Sequence, residues 1–96
     1  MAVENNFLIE RTAKCSVLAN VSGYIGEYKI IHGFVPNVVD NKEDSRLYLY
    51  HIGFMGGYLE ASEKALKNES QKSMAQKIWS GSKRFKCPEL VKLLSE

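Results

Sequence analysis

Apolar and aromatic residues between Ser45 and Leu66, in SRLYLYHIGFMGGYLEASEKAL, recur at Leu47, Tyr50, Phe54, Tyr58, Ala61 and Ala65. Steps of three and four place them on one face of a helix. A second row, Gly53, Gly57 and Ala61, repeats at steps of four, with Gly56 beside it. Each helical glycine costs about 0.8–1 kcal/mol relative to alanine, so this cluster predicts another backbone lying closely against the row. The expectation is a central helix over 45–66, grooved on one side and aromatic on the other.

Residues 5–22 predict a first helix with Leu8, Cys15, Leu18 and Ala19 inward and Glu10, Lys14 and Asn20 outward. Asn5 or Asn6 suits its N-cap and Gly23 its C-terminal stop. In 23–43, Gly23, Gly26, Gly33 and Pro36 break the pattern. A hairpin around Gly33 conflicts with Pro36, which cannot donate to a ladder, so a short helix followed by a loop packed on the main helix is the preferred reading. Asp44 or Ser45 is then placed to cap the central helix. Residues 69–80 resume helical spacing through Met74, Ala75, Ile78 and Trp79, and Gly81 ends it. Cys87-Pro88 opens a last helix with Leu90, Leu93 and Leu94 inward, because proline suits a first helical turn. The whole is an all-α single domain over 1–96, a compact bundle of four to five helices.

Composition changes little in this picture. The 96 residues, 45% hydrophobic and 25% charged, are those of an ordinary globular domain. The formal net charge of +2 is too small to imply a polyanion partner. Its distribution is uneven: residues 1–60 hold five basic and seven acidic side chains, residues 61–96 eight and four. No apolar run approaches the roughly 18–20 residues of a membrane span, and MAVENNFLIE lacks the basic-then-apolar layout of a secretory signal. Cys15 and Cys87 are the only cysteines. They fit a staple in an oxidising compartment, worth roughly 4 kcal/mol for a loop of about 70 residues, and equally two buried thiols in a reducing one.

Candidate chemistry is sparse. Cys15 or Cys87 with His32 or His51 forms a nucleophile–base pair only on paper, with no local signature. The same four residues lack the paired spacing of zinc ligands, so neither an enzyme, a metal site nor a cofactor is expected. HIGFMGGYLEAS carries neither the Walker lysine nor the dinucleotide fingerprint. The Gly53–Gly57 spacing marks membrane helices only within an apolar run, and Glu60, Glu63 and Lys64 interrupt this one. Asn20-Val21-Ser22 and Asn68-Glu69-Ser70 are N-glycosylation sequons, the first inside an expected helix. Lys83, Arg84 and Lys86, with Lys72, Lys77, Phe85 and Trp79, supply a small basic and stacking set for nucleic acid. Tyrosine is enriched in protein interfaces, and seven aromatic residues crowd 24–58: Tyr24, Tyr28, Phe34, Tyr48, Tyr50, Phe54 and Tyr58. Most suit the core; Tyr48, outside the main stripe, is the one expected to be exposed, and any remaining patch is a partner or homodimer surface.

AKCSVLANVSG followed by YHIGFMGGYLEASEKAL resembles a pattern in small exported bacterial helical proteins, where a cysteine-bearing helix precedes a helix of the type G(F/Y)xxGYxxA. Type VI secretion immunity proteins and periplasmic acid-stress chaperones have members of this look. The resemblance covers about a third of the chain, and after Leu66 only Cys87-Pro88 echoes it. It implies a periplasmic or secreted binding protein without catalysis. The expected function is a non-enzymatic protein-binding module, an inhibitor or immunity-type protein that occludes a partner's surface through Tyr48, Tyr50, Lys83, Arg84 and Phe85. The alternative is a cytoplasmic or phage-encoded regulator that binds nucleic acid through residues 72–86.

Overall fold

The computed structural model describes residues 2–66 and 68–96 and is helical throughout: α1 Ala2–Ser22, α2 Ile25–Val38, α3 Lys42–Ala65, α4 Gln71–Gly81 and α5 Cys87–Ser95. Among the described residues there is no strand. Helix α1 packs against α2, α3 and α4, while α5 rests on α2 and α4. Burial therefore centres on α1, with the glycine-rich α3 laid along it.

Helix α1 is enclosed on most sides. Ile9, Thr12, Ala13, Lys14, Cys15, Ser16, Leu18, Ala19 and Ser22 are all buried. Such a run is wider than the apolar stripe of a surface helix, which is why one-face reasoning misplaced Lys14 on the outside and overlooked Ile9. Gly23 ends the helix with φ +83°, the left-handed conformation that glycine adopts without penalty. The expected caps at Asn5 or Asn6 are inside the helix, which starts at Ala2.

The segment 23–43 is more helical than its punctuation suggested. Helix α2 runs through Gly26, Gly33 and Pro36 and buries Ile31 and Val38. Pro36 sits in the last turn, where its missing N–H removes a single bond and little helix remains to be kinked. Asn41, rather than Asp44 or Ser45, caps α3, its side chain accepting from the Asp44 N–H at 2.9 Å. Asp44 instead accepts the Asp40 N–H. Ser70 caps α4 through the Ser73 N–H, Pro88 lies in the first turn of α5, and Leu90 is buried there while Leu93 is exposed.

The glycine row receives no neighbouring backbone. A Cβ added at Gly53, Gly56 or Gly57 meets nothing within 4 Å, so the expected close intramolecular approach is absent. The aromatic stripe also faces outward: Tyr50, Phe54 and Tyr58 are 62%, 52% and 52% exposed. Helix α3 turns Met55 and Leu59 into the core instead. The sequence pattern located the helix and its two rows, and assigned the wrong face to the interior.

A disulfide joins Cys15 in α1 to Cys87 at the start of α5, both fully buried, across 72 positions of sequence. Arg11 reinforces the junction by donating to the carbonyls of Phe85 and Lys86. Lys86 adopts φ 47° and ψ 55°, a left-handed conformation imposed on a residue with a Cβ where the chain turns into α5.

Candidate aromatic–cation surface

Where α1, the middle of α3 and the α4–α5 loop meet, charged and aromatic side chains interleave. Glu10 binds two cations at once. Its Oε2 accepts from Lys14 Nζ and its Oε1 from Arg84 Nη2, each at 2.8 Å. Lys14 follows Glu10 by four residues on the helix, the spacing that brings such a pair together. Lys14 Nζ also lies 4.6 Å from the Phe54 ring centre and 5.1 Å from that of Phe85. Arg84 covers Phe7 at 5.0 Å and reaches Phe85 at 6.0 Å. Aromatic faces attract cations through their quadrupole, more strongly where water is displaced, so the two rings and Glu10 together surround the buried Lys14 ammonium with favourable partners.

Electrostatics bind the cluster into one unit. Burial pushes the Glu10 carboxyl up, but the hydrogen bonds and charges of Arg84 and Lys14 outweigh it and hold the group below its ordinary value. His51 borders the same cluster, and its ring meets Tyr50 edge-on at 5.2 Å. Desolvation lowers the His51 pKa, and Lys14 and Arg84 lower it further against the opposing charge of Glu10. Its buried Nδ1 has no hydrogen-bond partner among the described residues. The outer rim is open: Phe7, Tyr50, Phe54 and Arg84 are all exposed.

Three of the five residues singled out from sequence converge here. Tyr50 stands beside Phe54 at 6.3 Å, Arg84 binds Glu10, and Phe85 is the buried floor beneath both cations. Lys83 is exposed in the same loop. Tyr48 is the correction, because it is half-buried rather than exposed. Desolvation raises its pKa against a hydrogen bond with Ser16 of α1, and it belongs to the packing between α3 and α1. Sequence reasoning missed Phe7, Glu10 and Lys14. The i, i+4 spacing of Glu10 and Lys14 was visible, but nothing local showed that Arg84, 74 positions later, completes the set.

Other candidate chemistry is dispersed or already committed. The Cys15 and Cys87 sulfurs are bonded to each other, so neither serves as a thiolate nucleophile in this state. His32 stacks on Tyr28 at 5.5 Å. Among the described residues, no group of three or more His, Cys, Asp and Glu side chains is arranged to hold a metal ion. A concavity of about 650 Å³ near Asp40, Glu43 and Asp44 is polar, and Asp44 and Asn41 already cap the local backbone there. No helix is long and apolar enough to cross a membrane among the described residues. Comparison with protein-family models, with curated proteins and with solved structures finds no match.

Proposed function

We propose that this chain is a small non-enzymatic binding module that occludes the surface of a protein partner, in the manner of an inhibitor or immunity-type protein. The observation that carries the reading is the half-open aromatic–cation surface. Phe7, Tyr50, Phe54 and Arg84 stand exposed over a fixed floor of Lys14, Glu10 and Phe85. Aromatic residues and arginine dominate binding energy where they sit on a rigid base, and this base is set by ion pairs from two helices and a loop. The buried disulfide supports a location in an oxidising compartment, as the resemblance to small exported bacterial proteins implies.

The alternative, nucleic-acid binding through residues 72–86, draws less support. Arg84 pairs with Glu10 and Lys77 with Glu69, so two of its cations are already neutralised within the fold. A photo-crosslinking side chain placed at Phe7, with the exposed Ile25 beyond the far end of α1 as a control, tests the proposal in extracts of the native host. One heteromeric adduct, specific to position 7, retained in high salt and lost on Arg84→Glu, is expected. Equal labelling from both positions, or DNA affinity that falls steeply with salt, overturns it.

A further inference from the structure

The aromatic and cationic side chains of the candidate surface stand in an alternating row. Phe54, Lys14, Phe85, Arg84 and Phe7 follow one another, with cation-to-ring-centre distances of 4.6, 5.1, 6.0 and 5.0 Å along it. Lys14 and Phe85 are its buried part, while Phe54, Arg84 and Phe7 are exposed. Tyr50 extends the row beyond Phe54, at 6.3 Å.

The row does not balance its own charge. Glu10 is the carboxylate that Lys14 and Arg84 share, so two cations stand against one anion. Lys83 and Lys86, in the same loop as Arg84, are exposed and make no ion pair among the described residues. Glu89 acts on Arg11, so the excess at Arg84, Lys83 and Lys86 remains. Arg84 also has donors in reserve. A guanidinium carries several N–H groups in a planar fork, and among the described residues Arg84 donates a single hydrogen bond, to Glu10. Its side chain is 62% exposed. The Glu10 bond and the Phe7 ring hold it in place, which lowers the ordering cost of binding.

We propose that the partner docks an acidic segment on this row: an aspartate or glutamate carboxylate accepts from the remaining N–H groups of Arg84, and an adjoining apolar side chain covers Phe54 and Tyr50. The inference rests on the protein-binding reading above and names the chemistry of the partner. Arginine receives a carboxylate through two parallel hydrogen bonds, which lysine cannot supply. Lys83 and Lys86 add the longer-range attraction that speeds encounter with an acidic surface. Once the rim is covered, the pair is screened by salt less than an exposed one. A nucleic-acid strand fits less well, because it repeats its charge at every nucleotide. Here the unpaired cations are confined to one short loop, and Lys77 beyond it is paired with Glu69.

Two-dimensional NMR titration of the full chain with a blocked glutamate–phenylalanine–glutamate peptide tests the proposal. The glutamine–phenylalanine–glutamine counterpart is the neutral control, and oligothymidylate supplies phosphate. Saturable shifts are expected at the Phe7, Tyr50 and Phe54 amides and at the Arg84 Nε–H. The neutral peptide is expected to bind about tenfold more weakly, the loss of a charge-assisted pair, and Arg84→Gln to weaken the acidic peptide about as much. Lys72→Gln removes the same charge beside Gly23, beyond the far end of α1, and is expected to change affinity by no more than about twofold. Equal binding of the two peptides, equal losses in the two variants, shifts centred away from the row, or tighter binding of oligothymidylate overturns the proposal. The crosslinking test is separate. A specific adduct from position 7 without acidic-peptide binding refutes the carboxylate site and leaves the binding module standing. Peptide binding without an adduct supports the carboxylate site and refutes occlusion of a partner in the host.

Discussion

Breaking the Cys15–Cys87 bond is the perturbation with the largest calculable effect. The bond closes a loop across 72 positions, and the chain-entropy relation assigns such a loop about 4.4 kcal/mol of restriction on the unfolded chain. A domain of this length has roughly 5–15 kcal/mol in total, so the bond supplies a third or more of its stability. Both cysteines are fully buried, hence a Cys15→Ala/Cys87→Ala protein also loses packed atoms from the core cluster that includes Trp79 and Leu90. The cleaner comparison is oxidised against reduced wild type, reduced in urea and refolded. Urea titration followed by far-UV circular dichroism is expected to show a fall of about 4 kcal/mol. Reduction of the native protein by a phosphine is expected to track global unfolding, because reagent cannot reach a buried bond. A difference below about 1 kcal/mol, or fast reduction under conditions where the fold is intact, would refute the reading of a core-sealed bond that restricts the unfolded chain.

Further measurements address the cluster and the helix faces. Gly56→Ala, where an added Cβ meets nothing within 4 Å, is expected to raise stability by about 0.5–1 kcal/mol; a loss in thermal melting would restore the idea of a close intramolecular approach. Glu10→Ala removes the carboxylate partner of the buried Lys14, so urea titration is expected to show a cost of about 3 kcal/mol, whereas Lys14→Met keeps the packing and changes little. Acidification destabilises the fold in two steps. His51, with a lowered pKa, contributes stability above about 6.5 that is lost as pH falls through its folded value. Glu10, also lowered, contributes above about 4.5 and loses its part at more acid pH. His51→Gln is expected to remove the first step from a plot of urea midpoint against pH and leave the second. Lys86→Gly is expected to raise the melting temperature, by relieving roughly 1 kcal/mol of left-handed backbone strain; a fall would show that the Lys86 side chain outweighs that relief.

Much of the architecture is legible in sequence because it is local. The periods of three and four over 45–66 and 69–80, the stop at Gly23 and the proline opening of α5 each report on a few neighbouring residues. Burial is different, since it depends on how many neighbours a helix acquires. Leu8–Ala19 reads as one apolar face, yet α1 is surrounded and takes Lys14 and Ser16 inside with it. In α3, the aromatic row Tyr50–Tyr58 outweighs Met55 and Leu59 in any reckoning of hydrophobic area, and still faces water. A row that faces solvent carries the same periodic signature as a core row. The candidate surface was half visible for the same reason. Tyr50, Arg84 and Phe85 stand out by type, whereas Glu10 and Lys14 gain their meaning only from a partner 74 positions downstream.

The position of α1 also bears on synthesis. Helix α1 is made before α2, α3 and α4, the helices that enclose it, and its cysteine waits for the thiol at position 87. Ile9 and Leu18 are covered stepwise as α2, α3 and α4 follow, whereas the Cys15 thiol stays unpaired until residue 87 has emerged. The growing chain therefore carries a free thiol at its future centre through the synthesis of the 72 positions that separate it from its partner.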